Sequence, residues 1–421
     1  MSTLNTILAP LHRALAWRPG GYLRASGALF GWLAVRTAAQ TVLFVLVART
    51  LGAEGYGSLI AVMAIATFFA PLAGLGGQSL LVREGARNPQ NLPIHLGDAL
   101  RLWAVSVVPM SALAYAACFL ILPPALPAWA VAAIVLADLA GASLLELLAR
   151  TWQAVQRMAG FGAAMAGLIA LRLAVFCALL SAGAPTPQAW AAWYGGITCV
   201  YVLLAAGTVV RQFGWPRPSE TPLRRLATAG FPFAFAGAAM RAQAEANKPI
   251  LARLDTLAGA GVFSAAQRVT DLLTVPLQAL LETLTPRAFR SAPTVRQAFV
   301  LGSPAIALAI GGGLLVVLCA EWLPVLLGAS YQDVVTVTRL LAFLPCLFVI
   351  RMVLTTVLAG LGRQIHFYSA YGLGAGIGVV ITALLVPTFG VPGAAFAAYA
   401  PELAMITFQG YALAQHKRDP Q

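Results

Sequence analysis

Twelve apolar stretches divide this chain, each about the length that a helix needs to cross a bilayer, some 20 residues. They lie near 26–48, 58–82, 100–122, 127–149, 161–182, 189–211, 229–252, 262–286, 298–319, 334–358, 366–387 and 391–414. Only 10% of the 421 residues are charged and 60% are hydrophobic, whereas soluble domains average about 25% charged residues. That deficit excludes a soluble fold. The expectation is an all-α polytopic membrane protein with 12 transmembrane helices.

The net charge of +13 would point to nucleic acid in a soluble protein. Here the distribution gives a different cause. With the N-terminus placed inside, eighteen Lys and Arg residues fall in inner segments and two, Arg49 and Arg253, in outer ones; the other seven of the 27 lie within or at the edge of the runs. This is the positive-inside pattern. It puts both termini in the cytoplasm and makes nucleic acid an unexpected partner. No cleavable signal peptide is evident. Leu4, Ile7, Leu8, Leu11 and Leu15 share one face of the N-terminal segment 1–25, which reads as either an interfacial helix on the inner leaflet or a disordered tail.

The outer loops are short, so no extracytoplasmic domain is expected. The longest inner link, 212–228, holds Pro216, Pro218, Pro222 and four arginines. It divides the chain into residues 26–211 and 229–415, with six runs each, followed by a cytoplasmic tail, 416–421. The halves repeat one another. Leu51-Gly-Ala-Glu-Gly55 follows run 1 and Leu257-Ala-Gly-Ala-Gly261 follows run 7, and the same offset of 206 relates Arg157 to Arg363 and Phe161 to Phe367. Two parallel, pseudo-symmetric lobes are expected, with a substrate site between them.

Chemistry must come from side chains inside the membrane. His12, His95, His366 and His416 lie at inner positions without metal-ligand spacing, and the five cysteines form no C-x-x-C pair. No P-loop is present, so no metal, ATP or other cofactor is expected. Gly372, Gly374, Gly376 and Gly378 miss the G-x-G-x-x-G register at Ile377 and read as close helix packing. A charge at the bilayer centre costs roughly 2.5–3.5 kcal/mol on insertion scales, so each intramembrane charge calls for a reason. Arg36, Arg172 and Arg241 fall near mid-depth, with Gln40 one turn from Arg36; Lys248 and Arg268 lie farther out and Arg351 farther in. A guanidinium keeps its charge and presents a fork of donors that fits phosphate oxygens. These seven residues are the candidates for an anionic ligand. The competing reading is internal pairing, for which Asp138, Glu146, Glu245, Asp271, Glu282 and Glu402 supply acids. Asp138, Glu245 and Asp271 are further candidates for coupling to a proton or sodium gradient, against a plain salt-bridging role.

Arg49-Thr-Leu-Gly-Ala-Glu-Gly-Tyr-Gly57 resembles the signature of polysaccharide transporters, the O-antigen and lipid-linked oligosaccharide flippases of the multidrug/oligosaccharidyl-lipid/polysaccharide (MOP) exporter superfamily. Ala260-Gly-Val-Phe-Ser-Ala-Ala-Gln-Arg268, Leu327-Gly-Ala-Ser-Tyr331, Ala359-Gly-Leu-Gly-Arg363 and Phe389-Gly-Val-Pro-Gly-Ala394 are similar to later segments of that family. The resemblance spans 26–415. It implies a V-shaped pair of six-helix lobes with alternating access in the bacterial cytoplasmic (inner) membrane. The cargo it implies is a polyprenyl-pyrophosphate-linked glycan moved from the inner to the outer leaflet for polysaccharide export. Membrane lipids and polysaccharide-assembly proteins would be the partners, and the chain would not be an enzyme. It also implies a cationic central cavity, which Arg36, Arg241 and Arg268 could line. Lys248 and Pro249 depart from the family, many members of which carry an acid there.

Two other readings compete. An ion-coupled multidrug antiporter of the same superfamily would want acids in its cavity, whereas the mid-depth excess here is basic. A membrane glycosyltransferase or polymerase would need a catalytic outer loop, and the outer loops are short and nearly uncharged.

Overall fold

The computed structural model describes residues 21–282, 294–361 and 364–418. Most of the N-terminal segment, His12, Arg287, Arg290, Arg363 and the end of the tail lie outside the described residues. Among the described residues every regular element is helical, as it must be where no water can satisfy an open sheet edge.

The first helix, α1 (Gly21–Phe69), has 49 residues. A straight helix of that length would measure about 74 Å, more than twice the hydrocarbon core of about 30 Å. It breaks at Gly52, whose φ of 69° and ψ of 177° lie in a region essentially reserved for glycine. The ring centroids of Phe44 and Tyr56 are 5.6 Å apart, although a straight helix would separate the two residues by about 18 Å. The chain therefore turns back on itself, and runs 1 and 2 are the two arms of a hairpin.

Beyond it come α2 (Gly77–Arg87), α3 (Leu92–Ile121), α4 (Ala128–Leu136), a π-helical turn (Ala137–Ala142), α5 (Ser143–Ala154), α6 (Met158–Ala182) and α7 (Pro187–Phe213). The second half holds α8 (Leu223–Glu245), α9 (Asn247–Leu254), α10 (Leu257–Glu282), α11 (Val295–Cys319), the short α12 (Leu323–Leu327), α13 (Val334–Leu341), α14 (Leu344–Gly360), α15 (Gln364–Ala397) and α16 (Tyr399–Arg418). Helix α15 breaks at Gly390, with φ 58° and ψ −137°. A Cβ on Gly393 would sit 2.5 Å from the Leu385 carbonyl oxygen, so this helix folds back as well.

By length and composition, eight helical segments among the described residues qualify as membrane spans, not the expected twelve. Runs 1 and 2 share α1. Run 7 (α8–α9), run 8 (α10) and run 12 (α16) do not qualify; they carry Arg241, Glu245 and Lys248, Arg268 and Asp271, and Glu402.

Three clusters form most of the core. One draws only on residues between Leu81 and Val209, one only on residues between Leu277 and Leu413. The largest joins residues 44–194 to residues 251–398. Where the two halves meet, backbone touches backbone. A Cβ on Gly57 would lie 1.8 Å from the Leu257 carbonyl oxygen, and one on Gly261 would lie 2.1 Å from that of Ala53. Beside them, the Ala53 N–H donates to Ser330 Oγ at 3.3 Å. A second crossing joins Gly76 and Gly230, where a Cβ on Gly230 would meet the Leu75 carbonyl at 2.1 Å. Small residues let helices approach this closely in lipid, where packing rather than water expulsion drives association. The inner link lies against α3: Ser219 donates from both N and Oγ to Asp98 Oδ1, at 2.8 and 2.9 Å.

At Gly57 a side chain would have to move backbone, so Gly57→Leu is expected to destabilise the protein by at least about 1–3 kcal/mol. Gly31→Leu, which meets nothing within 4 Å, should leave stability unchanged. Thermal melting in detergent, read by size-exclusion chromatography, distinguishes the two; equal midpoints would remove the crossing from this account.

Candidate functional site

The polar interior begins at a helix break. Pro249 has no N–H to give the Glu245 carbonyl, and the helix divides into α8 and α9 with Ala246 between them. Lys248, 7% exposed, returns across the break and pairs with the Glu245 carboxylate. Arg241, one turn before Glu245, takes no part. It is exposed and has no hydrogen-bond or ion-pair partner among the described residues. Arg36 on α1 is likewise without one. The charges of Glu146, itself paired to Arg150 at 2.7 Å, and of Arg241 both act on it.

Arg268 and Arg172 are held by neutral groups. Arg268 on α10 donates from Nε to Tyr56 Oη at 3.1 Å and lies 5.5 Å from the centre of the Phe44 ring. The hairpin at Gly52 brings these two aromatic residues to the same guanidinium. Arg172 on α6, 6% exposed, stacks 3.6 Å from the centre of the Tyr194 ring and donates to Thr198 Oγ1 at 2.7 Å. Tyr194 in turn donates to Asp138 Oδ1 at 2.6 Å. Asp138 sits in the π-helical turn, which re-aims side chains out of the ordinary helical register. Arg268, Arg172, Tyr194, Tyr56 and Gln40 together line a cavity of about 140 Å³. A neutral partner anchors a guanidinium without cancelling its charge, and neither arginine forms an ion pair among the described residues.

Arg351 on α14 behaves differently. It is 2% exposed, donates from Nε to Glu402 Oε2 at 2.6 Å and from Nη1 to Tyr371 Oη at 2.7 Å. Glu402 Oε1 accepts from Gln243 Nε2 at 3.1 Å. Four helices, α8, α14, α15 and α16, are thereby joined through one buried ion pair. These groups border a cavity of about 260 Å³ that Asp271, Asn247 and Gln267 also line. Asp271 is exposed there and has no ion pair among the described residues.

The seven basic and amide candidates therefore divide. Arg36, Gln40, Arg172, Arg241 and Arg268 keep net charge or free polar capacity. Lys248 and Arg351 are instead paired with the carboxylates of Glu245 and Glu402. Of the three acids, Glu245 is held by Lys248 and Asp138 by Tyr194, while Asp271 remains open. Tyr56, Tyr194, Thr198, Tyr371 and Gln243 were missed by sequence reasoning. Tyr56 sits in the Arg49–Gly57 motif and the other four in apolar runs, each well separated along the chain from the charge that it serves, with no local spacing to mark it.

Removing Glu402 strands the Arg351 charge. Glu402→Ala is expected to cost about 3–5 kcal/mol, whereas the double variant Arg351→Met/Glu402→Leu removes both charges and should cost far less. Melting midpoints in detergent check the contrast; equal losses in single and double variants would refute it.

Residues 28–292 match the family described as polysaccharide biosynthesis protein. No curated protein matches the chain significantly. Among solved structures, a multidrug resistance MATE family transporter of the MOP superfamily, in an inward-facing conformation, superposes with a TM-score of 0.69 at 17% identity, covering 93% of this chain and 100% of the other. The lipid II flippase MurJ, inward closed, superposes with a TM-score of 0.70 at 10% identity, covering 93% and 87%. The chain shares the fold of these two transporters.

Proposed function

The chain belongs to the polysaccharide biosynthesis protein family, and from that premise we propose that it is a flippase. Its cargo is a polyprenyl-pyrophosphate-linked oligosaccharide, carried from the inner to the outer leaflet by alternating access of two lobes, 26–211 and 229–415. The observation that carries this reading is the pair Arg36 and Arg241. They come from opposite halves and form no ion pair among the described residues. Two uncompensated guanidiniums are costly in lipid. A doubly charged pyrophosphate passing between the halves would satisfy both through charge-assisted hydrogen bonds. The positive-inside charge distribution supports a bacterial inner-membrane placement with cytoplasmic termini, where such lipids are assembled.

The backbone crossing at Gly57 and Gly261, near the expected outer ends of their helices, supports a lobe interface that can close tightly without side chains between. Asp271, open to the second cavity, is the acid best placed to load a proton or sodium ion during the cycle. Asp138 and Glu245 already have partners that an incoming ion would have to displace. The reaction is movement and not bond cleavage, so no catalytic residue is assigned. Proteins that build or polymerise the glycan are its expected partners.

Arg36→Ala and Arg241→Ala should each lower transport at least about tenfold, since hydrogen bonds to charged groups contribute about 1.5–3 kcal/mol. Both should leave thermal stability unchanged, because neither residue has a partner to strand. The measurement is outer-leaflet exposure of a fluorescent polyprenyl-pyrophosphate glycan in proteoliposomes, with and without a pH gradient. Intact transport by Arg36→Ala, together with loss of cationic-drug efflux in Asp271→Asn, would favour the multidrug antiporter.

A further inference from the structure

The segments Arg49–Gly57 and Leu327–Tyr331 come from opposite halves and meet at the expected outer end of the molecule. Arg49 donates from Nη1 to the Leu326 carbonyl at 3.4 Å, and the Ala53 N–H donates to Ser330 Oγ at 3.3 Å. Tyr56, one turn farther on, accepts from Arg268 Nε at 3.1 Å. Apart from the inner link, these three are the hydrogen bonds that join the halves among the described residues, and all three start from the tip of the α1 hairpin. Every ion pair among the described residues lies within one half.

The two ends of the interface differ. At the inner end the chain itself joins the halves through the link, and the Gly76–Gly230 crossing lies close by, in the first turns of α8. The link is bolted to α3, since the Ser219 and Thr221 carbonyls accept from Arg101 at 2.8 and 3.4 Å and Asp98 holds the Ser219 N–H. At the outer end no covalent connection restrains the halves, and the bonds there go to neutral acceptors, which are weaker than ion pairs in lipid. The other broken hairpin, at Gly390, docks within its own half: a Cβ there would lie 3.6 Å from Asp255 Oδ1. Behind the Gly52 tip lies the cavity of about 140 Å³ that Tyr56 and Arg268 line. Leu327 and Tyr331 are fully buried beside it. The Tyr331 hydroxyl has no partner among the described residues; a group of this kind is costly while covered and is hydrated once the tip parts.

We propose that this contact is the outer gate of the molecule. The tip, residues 49–56, and the segment 326–331 part to open the cavity at Tyr56 and Arg268 to the outer side, and they close by re-forming the same three bonds. Ser330 and Tyr56 are its positioning residues. The bond from Arg268 to Tyr56 belongs to gate and cavity alike, so an occupant that draws the guanidinium away from Tyr56 releases one of the three. The assignment goes beyond the flippase reading, because it holds for any cargo that leaves by the outer side.

The test uses the full-length protein in right-side-out membrane vesicles, with its five natural cysteines replaced by alanine and a membrane-impermeant maleimide supplied outside. Ala53→Cys, at a position 3% exposed, is the reporter. Leu327→Cys, at a fully buried position on the opposing segment, takes its place if that variant does not fold. Ala309→Cys, inside the second half's own cluster, is the control. Ser330→Ala and Tyr56→Phe should each raise the labelling rate of the reporter at least about threefold, the population shift that one lost neutral hydrogen bond allows. The control should stay unlabelled in both. A reporter rate that either variant leaves unchanged would make the tip a fixed joint and overturn the gate. An equal gain at Ala309→Cys would show that the whole fold had loosened, and would overturn it as well.

Discussion

A guanidinium cannot shed its proton at any ordinary pH, and in lipid it cannot find water. The arrangement of polar groups in this molecule follows from that constraint. Each intramembrane arginine has to be cancelled by a carboxylate, anchored by neutral donors and rings, or left to a ligand. Carboxylate pairing and neutral anchoring are both present here. Arg351 is cancelled by Glu402, Arg172 and Arg268 are anchored by tyrosines, and Arg36 and Arg241 have no protein partner among the described residues. Of the arginines named here, the one cancelled by a carboxylate lies within the second half, and the two without a partner come one from each half.

The same pattern separates structure from transport. The Arg351–Glu402–Tyr371–Gln243 network ties four helices of the second half into one body, which suits a lobe that moves as a unit. Between the halves the contacts are of another kind. Gly57 against Gly261 and Gly76 against Gly230 are backbone crossings, with no buried ion pair to break. An interface of close glycine contacts and a few neutral-acceptor hydrogen bonds, such as Arg268 to Tyr56 and Ala53 to Ser330, opens at lower cost than the separation of an ion pair in lipid. A lobe interface without salt bridges at its crossings is therefore compatible with repeated opening.

Neutral anchoring has a consequence for binding. Tyr56 and Tyr194 position Arg268 and Arg172 without taking their charge, so both guanidiniums stay electrostatically available while their geometry is fixed in advance. Preorganised donors of this kind cost little further ordering when a ligand arrives. Asp138 lies close enough to temper the field at Arg172, yet its hydrogen bond goes to Tyr194.

Much of this was legible in the amino-acid sequence, and the rest could not be. Apolar run length and arginine asymmetry decided the fold class, because lipid imposes both directly on linear sequence. The repeat offset of 206 aligned Gly55 with Gly261, and local spacing placed Glu245 beside Lys248. The sequence also located every charge that matters. Which charges are spent was decided only by tertiary structure. Glu402 lies 51 residues from Arg351 and Tyr56 lies 212 residues from Arg268, and nothing local marks either as a partner. The hairpin at Gly52, which carries Tyr56 back to Phe44, and the π-helical turn that presents Asp138 are long-range packing outcomes. Charge in a membrane is a property of the residue, but its compensation belongs to whichever helix the fold lays alongside.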